Sequence, residues 1–233
     1  MTKRPKLSEL SPICNDSSLS KILQKLNVPG GTSRWSIARA VRADLQQETA
    51  YGSPIQKVRL PLKTPSKGRS HFEWEFCNPF ALLNHMAANS AGFRELVANT
   101  LAKRPSARAD PWHICVYSDE VVPGNLLALD HGRKVHVIYW SFVEFGMEIL
   151  SREEAWMLGG AIRSTVVSDI AGGLSCVMKH FLLSFFGSGH NFASAGCSIP
   201  SVGAVVFGKL SIIVGDEDAL KRIYGVKGAA GLK

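Results

Sequence analysis

Apolar positions follow two periods along this chain, and the boundary between them organises the reading. Before residue 104 the period is mostly helical. Ser18 to Leu26 reads as a short amphipathic helix stopped by Asn27-Val28-Pro29-Gly30-Gly31. Ser33 to about Thr49 reads as a second helix, with Trp35, Ile37, Ala38, Val41 and Leu45 along one face. Tyr51-Gly52-Ser53-Pro54 is a turn. Gln56 to Leu62 alternates and predicts a strand, as do Phe72, Trp74 and Phe76. Between them, Lys63 to Ser70 reads as a basic linker. Pro79 to Lys103 predicts two helical stretches. Arg104-Pro105-Ser106-Ala107-Arg108-Ala109-Asp110-Pro111 predicts a linker and a domain boundary.

Beyond the linker, strands dominate. Trp112 to Ser118 and Lys134 to Glu144 are strand-like, with turns at Pro123-Gly124-Asn125 and Asp130-His131-Gly132-Arg133. Ser151 and Glu154 have capping-box spacing ahead of a short helix. Thr165 to Phe186 predicts the longest helix, with Val166, Ile170, Leu174, Val177, Phe181 and Phe185 as its buried stripe. Gly172-Gly173 inside it costs about 1 kcal/mol per glycine against alanine, which a close backbone approach would explain. Gly187 to Gly203 reads as a loop with room for a short strand pair. A strand at Leu210–Val214 and a helix starting near Glu217 follow. The order predicts an α/β fold in which the long helix crosses between parallel strands. Three segments result: a disordered basic tail at 1–18, a smaller and mostly helical region at 19–109, and an α/β core at 110–233.

Both strands that bracket the long helix stop at carboxylates. One ends in Ser118-Asp119-Glu120, the other in Gly215-Asp216-Glu217-Asp218. Side by side, such ends make an oxygen-rich site for divalent ions at the edge where open α/β sheets place their sites. Two-metal phosphoryl transfer needs carboxylates that hold ions about 3.5–4 Å apart. Asp119 would bridge the ions and Asp216 would hold one, with Glu120 the alternative at the first position. Oxygen ligands suit Mg2+, or Mn2+. Asp also starts turns in its own right, and that reading stands beside the metal one.

Charge agrees with a polyanionic partner. The chain of 233 residues carries a formal net charge of +8, with pI about 9.4. Lys63, Lys67, Arg69, Lys103, Arg104, Arg133 and Lys134 are the candidates for phosphate contact. The five cysteines are odd in number and widely spaced, which argues against a disulfide framework and for a reducing compartment. His113 with Cys115, and Cys77 with His85, lack any zinc spacing. Gly187-Ser188-Gly189-His190 lacks the context of a phosphate loop. The N-terminus has no signal-peptide pattern, so the expected location is intracellular, with a short basic stretch pointing to the nucleus. The stretch from Ile170 to Phe186 is too short and interrupted for a membrane span.

The segment Val116-Tyr117-Ser118-Asp119-Glu120-Val121-Val122-Pro123-Gly124-Asn125, followed by Lys134-Val135-His136-Val137-Ile138-Tyr139-Trp140-Ser141-Phe142, resembles the start of the catalytic core of CACTA-type transposases. Gly215-Asp216-Glu217-Asp218-Ala219-Leu220-Lys221 resembles that family's second acidic position. Lys227 to Lys233 is similar to a segment of transposon-derived reading frames. The resemblance covers about residues 110–233 and implies a ribonuclease H-like mixed sheet with crossover helices. It also implies a DDE triad acting on DNA with Mg2+. The family's third carboxylate sits on a later helix, and nothing after Asp218 is acidic. The expectation is therefore an incomplete or inactive transposase-like fragment. The alternatives are a non-catalytic nucleic-acid-binding protein and an α/β interaction module. The oligomeric state is left open.

Overall fold

The computed structural model describes residues 48–66, 69–122 and 134–225. The tail at 1–18 and the helix at 18–26 lie outside them, as does nearly all of the expected helix at 33–49. So do the turns at 123–125 and 130–133.

Six strands form one mixed sheet: β1 (Ile55–Ser66), β2 (Arg69–Cys77), β3 (Trp112–Val121), β4 (Val135–Phe142), β5 (Met157–Arg163) and β8 (Gly208–Gly215). Their order is β1-β2-β5-β4-β3-β8. Every neighbouring pair is antiparallel except β3 and β8, which run parallel. The parallel pair is the expected one, and the fold class is α/β. Two short strands, β6 (Cys197–Ile199) and β7 (Ala204–Val206), form a separate antiparallel pair, β6 inside the loop expected at 187–203 and β7 directly after it.

Helices α1 (Pro79–Asn89) and α2 (Ala91–Lys103) start where capping chemistry puts them. The Asn78 side chain accepts from the N–H groups of Phe80 and Ala81 at 3.1 and 3.3 Å, with Pro79 pre-set in the first turn. Ser90 closes α1 through its N–H on the Met86 carbonyl and opens α2 by accepting from the Phe93 N–H. A single turn, α3 (Met147–Leu150), follows β4.

The expected helix from Thr165 to Phe186 is two helices, α4 (Ser164–Asp169) and α5 (Gly173–Phe186). Gly172 and Gly173 adopt φ of 84° and 55°, the left-handed region that ends a helix rather than continuing it. The glycine pair thus marks a break, not a close approach. Ile170, fully buried in the break, pairs with Leu62 of β1 in an isolated bridge. The stripe of Leu174, Val177, Phe181 and Phe185 is buried as expected. Ser151 Oγ donates to the Glu148 carbonyl and does not cap a helix; a 3-10 turn spans Glu153–Ala155.

One aromatic core fills the space between the sheet and α5. Trp140 meets Phe185 edge-on at 4.9 Å, Phe80 stacks on Phe192 at 4.1 Å, and Phe76 meets Phe181 at 6.5 Å. Strands and helices on both sides of residues 104–111 contribute to this core. The linker therefore joins parts of one sheet and does not separate two cores. Of the expected basic linker at 63–70, Lys63–Ser66 belong to β1 and Arg69–Ser70 to β2.

Candidate functional site

The parallel register pairs Ser118 with Gly215, so Asp119 and Asp216 are the next residues at the same edge of the sheet. Gly215 is required there: a Cβ would lie 2.7 Å from the Ser118 carbonyl oxygen. Asp119 Oδ2 accepts from the Tyr117 hydroxyl at 3.0 Å, and its Oδ1 accepts from the Glu120 N–H at 2.7 Å. Asp216 caps α6 (Glu217–Tyr224), its Oδ1 accepting from the Ala219 N–H at 2.6 Å. Tyr117 registers both carboxylates. Burial pushes its hydroxyl pKa up, and the Asp119 bond and the charges of Asp119 and Asp216 push it further.

Strand alternation then divides the acidic pair. Asp119 shares a face with Tyr117, whereas Glu120 shares the α5 face with Ser118 and Val116. Glu120 lies opposite His136 of β4. Glu120 Oε2 accepts from Lys134 Nζ at 2.7 Å, and Oε1 accepts from Ser164 Oγ at 2.6 Å. Burial opposes the Glu120 charge, but the bonds from Lys134 and Ser164 and the nearby Lys134 charge outweigh it. The carboxyl is held below its ordinary range. Ser164 serves Glu120 and does not cap a helix; Arg163 occupies the cap position of α4 without a side-chain bond.

His136 is 2% exposed, and neither of its ring nitrogens has a hydrogen-bond partner. Its Nε2 lies 3.6 Å from Glu120 Oε1, beyond hydrogen-bond reach. Burial lowers its pKa and Arg222 adds to that, against the opposing charges of Glu120, Asp218 and Asp216. The imidazole is therefore neutral at neutral pH. His136 was not singled out from the sequence, where it reads as one polar residue in an apolar strand. Its importance comes from the cross-strand register, which no local pattern carries.

Strand directions sort the basic candidates onto two edges. The β1–β2 hairpin ends at the same sheet edge as Asp119 and Asp216, which brings Lys63 and Arg69 there. Lys63 Nζ donates to the Ser168 carbonyl of α4 at 2.6 Å. Lys103 and Arg104 lie at the opposite edge, where β3 begins. There Trp112 Nε1 donates to the Arg104 carbonyl, and the Arg104 guanidinium lies 3.7 Å from Glu144. The Glu144 side chain, fully buried, also accepts from the His113 N–H and approaches its Nδ1 at 2.8 Å. Lys134 is bonded to Glu120. Lys67 and Arg133 lie outside the described residues, as does Asn125.

Asp119 and Asp216 offer oxygen donors, the chemistry that suits Mg2+ or Mn2+. Among the described residues, no three His, Cys, Asp or Glu side chains gather closely enough to hold an ion by themselves. Among the same residues, no helix is long and apolar enough to cross a membrane. No protein-family model matches the chain, and no curated protein does.

Proposed function

We propose that this chain is a ribonuclease H-like, transposase-like protein that engages DNA along the edge where β3 and β8 end. The single observation that carries the reading is the run β5-β4-β3-β8, with β3 and β8 parallel, Asp119 near the end of β3 and Asp216 directly after β8. Asp119 and Asp216 would hold Mg2+ or Mn2+, and Glu120 is the alternative at the first position. When bound, such ions activate a water or 3′-hydroxyl and stabilise the leaving oxygen in phosphoryl transfer. Asp119 and Asp216 would orient this machinery through the bonds that already fix them, to Tyr117 and to the α6 N-terminus. Lys63 and Arg69 on the same edge would receive the phosphate backbone, at the end of the sheet nearest β1.

A specific observation favours binding without cleavage as a second reading. Asp119 and Asp216 both take part in local hydrogen bonds that occupy carboxylate oxygens of each. Both readings require an electrostatic interface. Fluorescence anisotropy of a labelled DNA duplex across a salt series tests it. Log affinity should fall linearly with log salt, with a slope of about −0.9 per neutralised phosphate. Replacing both Lys63 and Arg69 with Gln should flatten that slope by about 1 per residue. A salt-independent signal, or a slope unchanged by both substitutions, would contradict the reading.

A further inference from the structure

We infer that Glu120 and His136 form a mixed oxygen–nitrogen site for a first-row transition-metal ion, on the α5 face of the sheet and separate from the Asp119 side. A buried polar group without a partner calls for an explanation, such as an ion or a water. Here the unpartnered atoms cluster. Among the described residues, the buried side-chain atoms lacking a partner are Ser118 Oγ, both ring nitrogens of His136 and Trp140 Nε1. All belong to β3 or β4, and the strand register puts all of them on the α5 face. Ser118 and His136 are immediate neighbours of Glu120, one along the strand and one across it.

The spacing suits two ligands of one ion. Ligands about 2.1 Å from a tetrahedral centre stand about 3.4 Å apart. Glu120 Oε1 and His136 Nε2 stand 3.6 Å apart, too far to bond each other and close enough to share an ion. Lys134 takes the other carboxylate oxygen, Oε2, and leaves Oε1 to Ser164 and the ion. The Glu120 side chain is 22% exposed, so the site opens at the sheet edge. Asp216 and Asp218 of α6 add negative charge near the imidazole, and Arg222 offsets part of it.

Ligand chemistry selects the ion. An imidazole nitrogen with a carboxylate suits Mn2+, Co2+ or Zn2+, whereas Mg2+ prefers oxygen alone. With two protein ligands, Glu120 and His136, the ion keeps water in its remaining positions. The site is thus an open one, unlike a closed structural zinc site.

Thermal melting of the full chain with MnCl2, CoCl2, ZnCl2 or MgCl2 tests the inference, on the parent and on His136→Gln, Glu120→Gln and Asp119→Asn. Mn2+, Co2+ and Zn2+ at a hundredfold excess over Kd should raise the melting point by about 5–10 °C, and Mg2+ should do much less. The excess of this response over that to Mg2+ should vanish in His136→Gln and Glu120→Gln and persist in Asp119→Asn. Mn2+-loaded parent protein should also show electron spin-echo modulation from a directly bound imidazole nitrogen, a readout that needs no variant to fold. No stabilisation by any of the three ions, or no nitrogen modulation, would overturn the inference and leave water as the partner of His136. Loss in Asp119→Asn with retention in His136→Gln would also overturn it, by moving the ion to the other face, while leaving the proposed function standing.

Discussion

Gly159→Ala should destabilise the protein through a single misplaced carbon. Gly159 lies in β5 beside a register shift against β4, with α5 packed over it. A Cβ there would lie 2.5 Å from Phe181 Cζ, 2.7 Å from its Cε2 and 3.1 Å from the Ile138 carbonyl oxygen. Carbon atoms pack at about 3.5–4.0 Å, so the ring must retreat by about 1 Å. It has little room. Phe181 is fully buried, with Phe185 centred 5.1 Å away and Phe76 at 6.5 Å. Overpacking of this kind costs about 1–3 kcal/mol. At about 2–4 °C per kcal/mol for a domain of this size, the melting point should fall by about 2–12 °C. Gly92→Ala supplies the opposite sign. Gly92 lies in α2 with nothing within 4 Å of the added carbon, so alanine should stabilise by about 0.5–1 kcal/mol. Thermal melting by circular dichroism reads both, and Phe181→Leu should soften the Gly159→Ala loss in a double-mutant cycle. A Gly159→Ala protein that melts at or above the parent temperature would refute the packing of α5 on β5.

Two further outcomes follow from the buried titratable groups. In metal-free buffer, stability should fall as pH drops below about 6.5 and fall further below about 4.5. His136 has a depressed folded pKa against an ordinary 6.5, so acid protonates the unfolded chain first; Glu120 behaves likewise against 4.5. Urea titrations from pH 8 to 4 check this, and a curve that is flat between pH 7 and 5.5 would contradict the buried neutral imidazole. Burial pushes the thiols of Cys77 and Cys115 up to about 11 and that of Cys197 to about 12. Native protein should therefore label slowly with a thiol reagent at these positions and faster at half-buried Cys176, as read by peptide mass spectrometry. Rapid labelling of Cys197 would mean that its surroundings open.

Much of the framework was legible because it rests on local chemistry. The strands expected at Trp112–Ser118 and Leu210–Val214 are present, each longer than its apolar run: β3 continues through Asp119 and Glu120 to Val121, and β8 spans Gly208–Gly215. The break at Gly172 was not legible, because the stripe from Leu174 to Phe185 continues the phase of Val166 and Ile170 across it. Only the positive φ of the glycines shows the interruption. The domain boundary at 104–111 was read from composition, but Trp74, Phe76 and Phe80 pack across it onto partners far along the chain. At the site, the sequence offered Asp119 and Glu120 as adjacent carboxylates without deciding between them. The register decides which face each takes: Glu120 turns toward His136, Ser164 and Lys134, while Asp119 turns toward Tyr117. The basic residues divided for the same reason. Linear proximity to a linker did not reveal that Lys63 and Arg69 would reach one edge and Lys103 and Arg104 the other.

That division of edges allows a direct test of the central claim. Hydrogen–deuterium exchange of the full chain should be measured with and without duplex DNA in Mn2+-containing buffer. Protection by DNA is predicted at 118–121, at 214–218 and around Lys63 and Arg69, with little change at 103–111. Protection confined to 103–111, or none at any of these segments, would contradict a DNA-engaging edge at the ends of β3 and β8.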